Sequence, residues 1–381
     1  MNDPRDPFQN ARATTGHQTM RAEGQDLPLI LRLQDVRRTC KDWQTFSNDD
    51  PFMIVPHSEA QVRSVRQYPI ETDPPQHTQY RALVEPFFAR PLDPQYQAQM
   101  QRLTDQSVDH AAQHGPLDAV RQFALPLQSR SLAQLLDVDP AEADTWIRWG
   151  IHVFKDGDGA AKGSHLTDYI QRKLQASRGS QAPDFFSTLH RARIDGRPLT
   201  DQEMQGFANM VFAGGRDTII HTVSSIVAHL AQEPKTLTQL RGQPNLIPSA
   251  TEEFVRFVSP LTAIARKCPH GAQVAGTTVP PGQRVALCWP SANRDESAFD
   301  QPQQLKLDRQ PNPHVGFGFG IPRCLGAPQA RLVIRCLLRS LSQRLESIRL
   351  LQATPELEHE SSFTRQVGYA QLTVQFQPTT R

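Results

Sequence analysis

No stretch of the 381-residue chain approaches the roughly 18 consecutive apolar residues of a membrane span. No apolar secretion core follows the N-terminus, which reads MNDPRDPFQNARATTGHQ. Neither sign of charge dominates: 41 Lys and Arg against 39 Asp and Glu leave a formal +2, too weak a field to point to nucleic acid. Cysteine is scarce. Its five positions (Cys40, Cys268, Cys288, Cys324 and Cys336) are odd in number, scattered and free of any CxxC pair, which argues against a disulfide framework and against a zinc site. There is no repeat and no low-complexity tract. These absences leave a soluble cytoplasmic protein as the expectation, with an ordinary globular composition of 38% hydrophobic and 21% charged residues. The length suggests two or three domains or one large one, and suffices for a sizeable core.

What is present centres on FGFGIPRCLG, residues 317–326. Cys324 stands among Gly318, Gly320 and Gly326. Glycine lets backbone approach a neighbour closely. A cysteine there can aim its sulfur at a ligand while backbone N–H groups soften the thiolate charge, as a thiolate ligand to haem iron requires. The following run, APQARLVIRCLLRSL, has helical apolar periodicity.

Upstream, residues 47–70 read as irregular, and Pro74-Pro75 places a helix start near Gln76. His77 and Arg81 lie four apart on one face of that helix, where they could hold a carboxylate or form an exposed cationic surface. Residues 95–150 read as amphipathic helices broken at Gly115-Pro116 and Asp139-Pro140, and residues 155–183 as a polar, Gly-rich region with a mobile loop. Thr200 and Glu203 make a capping box, and Pro234 stops the helix it opens. One unbroken helix over residues 201–233 would be about 50 Å long. At its middle, Gly214 and Gly215 precede Arg216, Asp217 and Thr218; paired glycines there imply a flat ligand, a local kink or close helix packing. Ser249 and Glu252 form a second capping box, opening a short helix that Pro260 ends; it carries Glu253 and Arg256, an (i, i+3) pair. Residues 273–289 read as two strands around a Pro-Pro-Gly turn, and 369–376 as a strand.

Five of these segments, in order, resemble the cytochrome P-450 family of haem-thiolate monooxygenases: DPPxHxxxR, GGxDT, ExxR, ANRD and FGxGxxxCxG, spanning residues 73–331. The absence of an apolar anchor fits its soluble, bacterial-type members. The chain departs from the pattern at Pro322, where the family usually carries His or Arg. The resemblance implies a mainly α fold: one domain over residues 1–381, with a smaller β portion and a long central helix over the haem. It implies haem b as cofactor and Cys324 as its metal ligand. His77, Arg81 and Arg266 would bind the propionates, with Gly214, Phe317 and Gly326 also against the cofactor. Thr218 and Asp217 would be the catalytic alcohol–acid pair, and Glu253 and Arg256 a structural pair. Val211, Phe212, Leu261, Thr262, Ala263, Ile264 and Phe363 would line the substrate pocket.

The activity implied is insertion of one oxygen atom of O2 into a small or medium hydrophobic organic molecule, by hydroxylation, epoxidation or O-dealkylation. Electrons would come from NAD(P)H through a separate ferredoxin-type partner and its reductase, since the chain ends at Arg381 with no fused reductase. Arg335 and Arg339, with Arg331 and Arg323, would form a cationic stripe for that partner. A peroxide-driven peroxygenase and a non-catalytic haem sensor or carrier are the alternatives; the intact Asp217-Thr218 pair weighs against both.

Overall fold

The computed structural model describes residues 3–22, 24–54, 65–151 and 158–379, the side chains of 158–162 excepted. In chain order the helices are α1 (Gln9–Thr14), α2 (Leu33–Lys41), α3 (Gln76–Ala89), α4 (Pro94–Gln113), α5 (Leu125–Leu136), α6 (Glu142–Arg148), α7 (Asp158–Ala176), α8 (Phe185–Arg191), α9 (Asp201–Gly215), α10 (Asp217–Gln232), α11 (Pro234–Gly242), α12 (Ile247–Val258), α13 (Trp289–Ala292) and α14 (Ala327–Arg344). The strands are β1 (His17–Ala22), β2 (Gln25–Ile30), β3 (Pro116–Asp118), β4 (Arg193–Ile194), β5 (Arg197–Pro198), β6 (Ala263–Lys267), β7 (Ala272–Val274), β8 (Thr277–Val279), β9 (Arg284–Cys288), β10 (Leu345–His359) and β11 (Thr364–Pro378). The fold is mainly α with a smaller β portion. One sheet runs β1-β2-β9-β6 and another β10-β11-β3; β4-β5 and β7-β8 are separate hairpins. No described helix is long and apolar enough to cross a membrane.

The main core gathers α4, α5, α10, α11, α12, α14 and the β10–β11 pair. Local chemistry sets several element ends. Asp93 caps α4 by accepting from the Tyr96 N–H, with Pro94 at the first helical position. The capping box at Thr200 and Glu203 forms as expected.

Four expectations are corrected. The helix expected over 201–233 is two helices, α9 and α10, broken at Arg216, whose φ of −103° and ψ of −81° leave the helical region. The polar, Gly-rich region expected to include a mobile loop is mostly helix α7; Leu166, Tyr169, Ile170 and Leu174 recur on one face and are buried, and that apolar stripe outweighs the polar composition. Residues 155–157 of it, and 55–64 of the irregular stretch, lie outside the described residues. Helix α12 starts at Ile247, not at a Ser249 cap: Ser249 is inside it and donates to the Leu246 carbonyl. Glu252 is instead drawn to distant cations. Residues 273–289 hold three strands, because Ala275-Gly276, both at positive φ, turn the chain before Pro-Pro-Gly does. Strand β9 then joins a different sheet from β8.

Candidate functional site

A cavity of about 350 Å³ lies between α3, the α9–α10 break, β6 and the Cys324 loop. Helix α3 brings His77, Arg81, Val84 and Phe88 to it, a spacing of four, three and four that keeps one helical face inward. Met210, Val211, Ala213, Gly214 and Thr218 line it from the broken helix, and Leu261, Ile264 and Arg266 from the approach to and length of β6. Phe317, Cys324 and Gly326 line it from below.

The Cys324 loop is shaped by close approaches. Gly320, at φ +75°, faces the Cys40 carbonyl; a Cβ there would sit 2.4 Å from that oxygen, so any side chain would push the loop off α2. The Cys324 N–H donates to the Phe317 carbonyl at 2.9 Å, closing the turn. Cys324 is the one exposed cysteine; Cys40, Cys268, Cys288 and Cys336 are buried. Its exposure is to the cavity: the sulfur lies deep in the protein but faces open space. That burial pushes the thiol pKa up, while the Gly326 and Ala327 N–H groups, Arg81 and Arg331 pull it down. The two amides belong to the start of α14, so its dipole also favours the thiolate.

Polar groups around the cavity are left short of partners. His77 is buried and its Nδ1 has no hydrogen-bond partner. Burial, with Arg81 beside it, drives its pKa down to about 4. Arg266, 3% exposed, donates from Nη1 to its neighbour Ala265's carbonyl at 2.7 Å, and burial lowers its pKa. Arg81 reaches the Arg323 carbonyl at 2.7 Å. A buried cation, an orphaned imidazole nitrogen and a second arginine around one space are what a dianionic ligand edge would satisfy. Pro322 lines the same cavity and brings no donor. Bare backbone at Gly214 and an apolar lining suit the faces of a flat ring system. The residues present therefore fit haem.

Above this space the helix break frees carbonyls. The Thr218 hydroxyl donates to the Gly214 carbonyl at 2.9 Å. Gln128 of α5 donates to the Gly215 carbonyl at 2.9 Å. Asp217 opens α10 and is not among the lining residues.

Behind the Cys324 loop sits an ionic network. Glu253 and Arg256 are fully buried and paired twice at 2.7 Å. Arg256 also donates to the carbonyls of Asn293, Pro302 and Gln304. A third member, Arg309, meets both Glu253 oxygens at 2.9 and 3.0 Å. Asn293 continues the scaffold, accepting from the Val315 N–H at 2.7 Å. Glu252 binds Arg331 at 2.7 and 2.8 Å and His314 Nε2 at 3.1 Å. Burial alone would raise Glu252, yet His314 and Arg331 carry it down to about 2. Arg331 also lies 4.4 Å over the Phe317 ring.

Of the expected residues, His77, Arg81, Gly214, Thr218, Arg266, Phe317, Cys324, Gly326, Val211, Leu261 and Ile264 meet at the one cavity. Phe212, Thr262, Ala263 and Phe363 do not line it. Phe212 packs on Trp146 at 5.1 Å, on the far side of α9. Thr262 bonds Glu358 and Arg365. Ala263 and Phe363 share another cluster with Phe8. Arg331 leaves the cationic stripe, since Glu252 engages it. The sequence reading missed Met210, Ala213, Phe88, Leu132 and Arg309. Met210, Ala213 and Gly214 follow i, i+3, i+4 spacing, and Phe88 continues the His77 face, so helical phase could have found these. Nothing in the sequence marks Leu132 or Arg309.

Comparison with known proteins gives a family for the chain. The family model for cytochrome P450 matches residues 245–374. The mycinamicin IV hydroxylase/epoxidase of Micromonospora griseorubida is 31% identical over 340 residues, covering 86% of this chain and 84% of that protein. The steroid C26-monooxygenase of Mycolicibacterium smegmatis is 30% identical over 298 residues, covering 76% and 74%. The solved structure of a carbohydrate active P450 superposes with a TM-score of 0.94 at 38% identity, covering 99% of this chain and all of that one.

Proposed function

The chain belongs to the cytochrome P450 family, carries out monooxygenation with haem b, and on that premise we propose how its cavity residues divide the work. Cys324 would hold the haem iron through its sulfur. His77, Arg81 and Arg266 would hold the propionates, and Gly214, Phe317 and Gly326 would bring bare backbone and an aromatic edge against the ring. Haem held there would supply the chemistry that activates O2 toward a C–H bond, with one oxygen going into the substrate and the other into water. Thr218 and Asp217 manage the protons that this needs: the Thr218 hydroxyl, which donates to the Gly214 carbonyl, can turn toward the cavity, and Asp217 relays to it. The electrons come from NAD(P)H through a separate ferredoxin-type partner. The substrate is a small or medium organic molecule seated against Val84, Phe88, Met210, Val211, Leu261 and Ile264.

The observation that carries this reading is that the sulfur, two arginines, an orphaned imidazole and Thr218 face the same space. Cys324→Ser is the test. The red-shifted Soret band of the reduced carbon-monoxide complex should vanish; its survival would refute the ligand assignment.

The likeness to the carbohydrate active P450 favours a second substrate reading. Gln67, Glu71 and Ser131 also line the cavity, so its wall is not purely apolar. A compact sugar-derived molecule, such as a methyl ether open to O-dealkylation, would use both surfaces. Screening apolar compounds against sugar ethers for substrate-induced haem spin-state shifts separates the two readings.

A further inference from the structure

Gln128 and Arg216 have no role in the cavity as described, yet both are buried polar side chains committed to the break between α9 and α10. In an unbroken helix the Gly215 carbonyl would accept from the Ile219 N–H. Here that N–H bonds the Arg216 carbonyl at 3.1 Å, as does Ile220's, and Gln128 Nε2 takes its place on Gly215 at 2.9 Å. The carbonyl before it, Gly214, takes the Thr218 hydroxyl. Arg216 turns the other way. Its guanidinium donates to the Trp146 carbonyl at 3.2 and 3.3 Å and to the Gly150 carbonyl, and lies 6.0 Å over the Trp149 ring. Those acceptors are the C-terminal end of α6, where free helix carbonyls favour a cation. Two outside elements, α5 and α6, thus grip the break from either side.

We propose that Gln128 and Arg216 are positioning residues that hold this break in shape, and through it set where the Thr218 hydroxyl can point. Without Gln128, the half-buried Gly215 carbonyl needs another donor, and the Ile219 N–H, its partner in a regular helix, would close the ladder. Thr218 would then be drawn back into a regular turn. Without Arg216, the end of α6 loses its anchor and the break loses its outer tie. The inference rests on the reading of Thr218 as a proton-handling group.

Hydrogen exchange by mass spectrometry and product-to-NADH coupling, both on the haem-loaded protein with surrogate ferredoxin and a turnover substrate, test it. Gln128→Leu should slow exchange at the 217–219 amides about fivefold and divert NADH toward peroxide. Gln128→Glu, the same size but without the donor, should do the same. Arg216→Gln should speed exchange at 147–151 by a similar factor and uncouple; Arg216→Lys, which keeps the charge and one donor direction, should restore part of the coupling. A variant that merely destabilises the fold would raise exchange everywhere and leave coupling per folded molecule unchanged, and that result overturns the proposal. So do unchanged local exchange, and altered exchange with wild-type coupling. Thr218→Ala separates the two layers. If it couples normally, the Thr218 reading fails, whatever the Gln128 variants do to exchange.

Discussion

Arg309→Met probes the network behind the Cys324 loop. Arg309 is 4% exposed and Glu253 fully buried, so neither charge has water to fall back on. Breaking a buried pair by removing one partner costs about 3–5 kcal/mol when the other charge is stranded. Glu253 would not be stranded here. It keeps Arg256 at 2.7 Å, the Lys306 N–H at 2.8 Å and Asn312 at 3.3 Å. Arg309 also serves the carbonyls of Asp300, Gln301 and Gln304, which would each lose a donor. The lower end of the range is therefore expected, about 3 kcal/mol. The pH dependence adds a second constraint. Burial raises the Glu253 carboxyl, but Arg256, Lys306 and Arg309 together hold it below the ordinary carboxylate value. A carboxyl whose folded pKa is depressed stabilises the fold above its unfolded pKa and loses that contribution as pH falls through the folded one. The gap between wild type and Arg309→Met should thus be full at pH 7 and narrow in acid. Urea unfolding of the haem-loaded protein at both conditions measures it. A gap below about 1 kcal/mol at neutral pH, or one indifferent to acid, would sink the idea that Arg309 shares the Glu253 charge.

Arg266→Leu should lower haem occupancy and speed haem dissociation, since Pro322 offers no donor to replace it; unchanged dissociation argues against the propionate assignment. Thr218→Ala should keep substrate binding and NADH consumption while diverting electrons to peroxide, and Asp217→Asn should slow turnover itself, so wild-type rate and coupling in both would move the relay elsewhere. Arg335→Glu with Arg339→Glu should slow electron transfer from ferredoxin most at low salt, because exposed charges beyond a Debye length of about 10 Å are screened at 0.1 M; a rate flat across salt would remove this face as the docking site. Arg331 is excluded from that pair because Glu252 engages it.

How much of this was legible depended on the range of the forces involved. His77, Arg81, Gly214, Thr218 and Cys324 belong to segments in which local spacing fixes the face presented, and all reached the cavity. Phe212 failed for a phase reason. It follows the lining residue Val211, and a step of one residue turns a helix by about 100°, enough to send the ring to Trp146. Ala263 failed because β6 alternates: Ile264 and Arg266 face the cavity while Ala263 packs near Phe8. Thr262 precedes the strand, and its hydroxyl is taken by Glu358 and Arg365. The helix break was half visible. Paired glycines announced a weak point, but the partners that meet the break at Arg216 are carbonyls at the end of α6 and Gln128, 87 residues upstream of Gly215. Glu253 shows the same limit from the other side. As a surface (i, i+3) pair it would count for tenths of a kcal/mol. Burial among residues 293–312 makes it the node that joins α12 to the segment leading into Phe317, and only tertiary contact could say so.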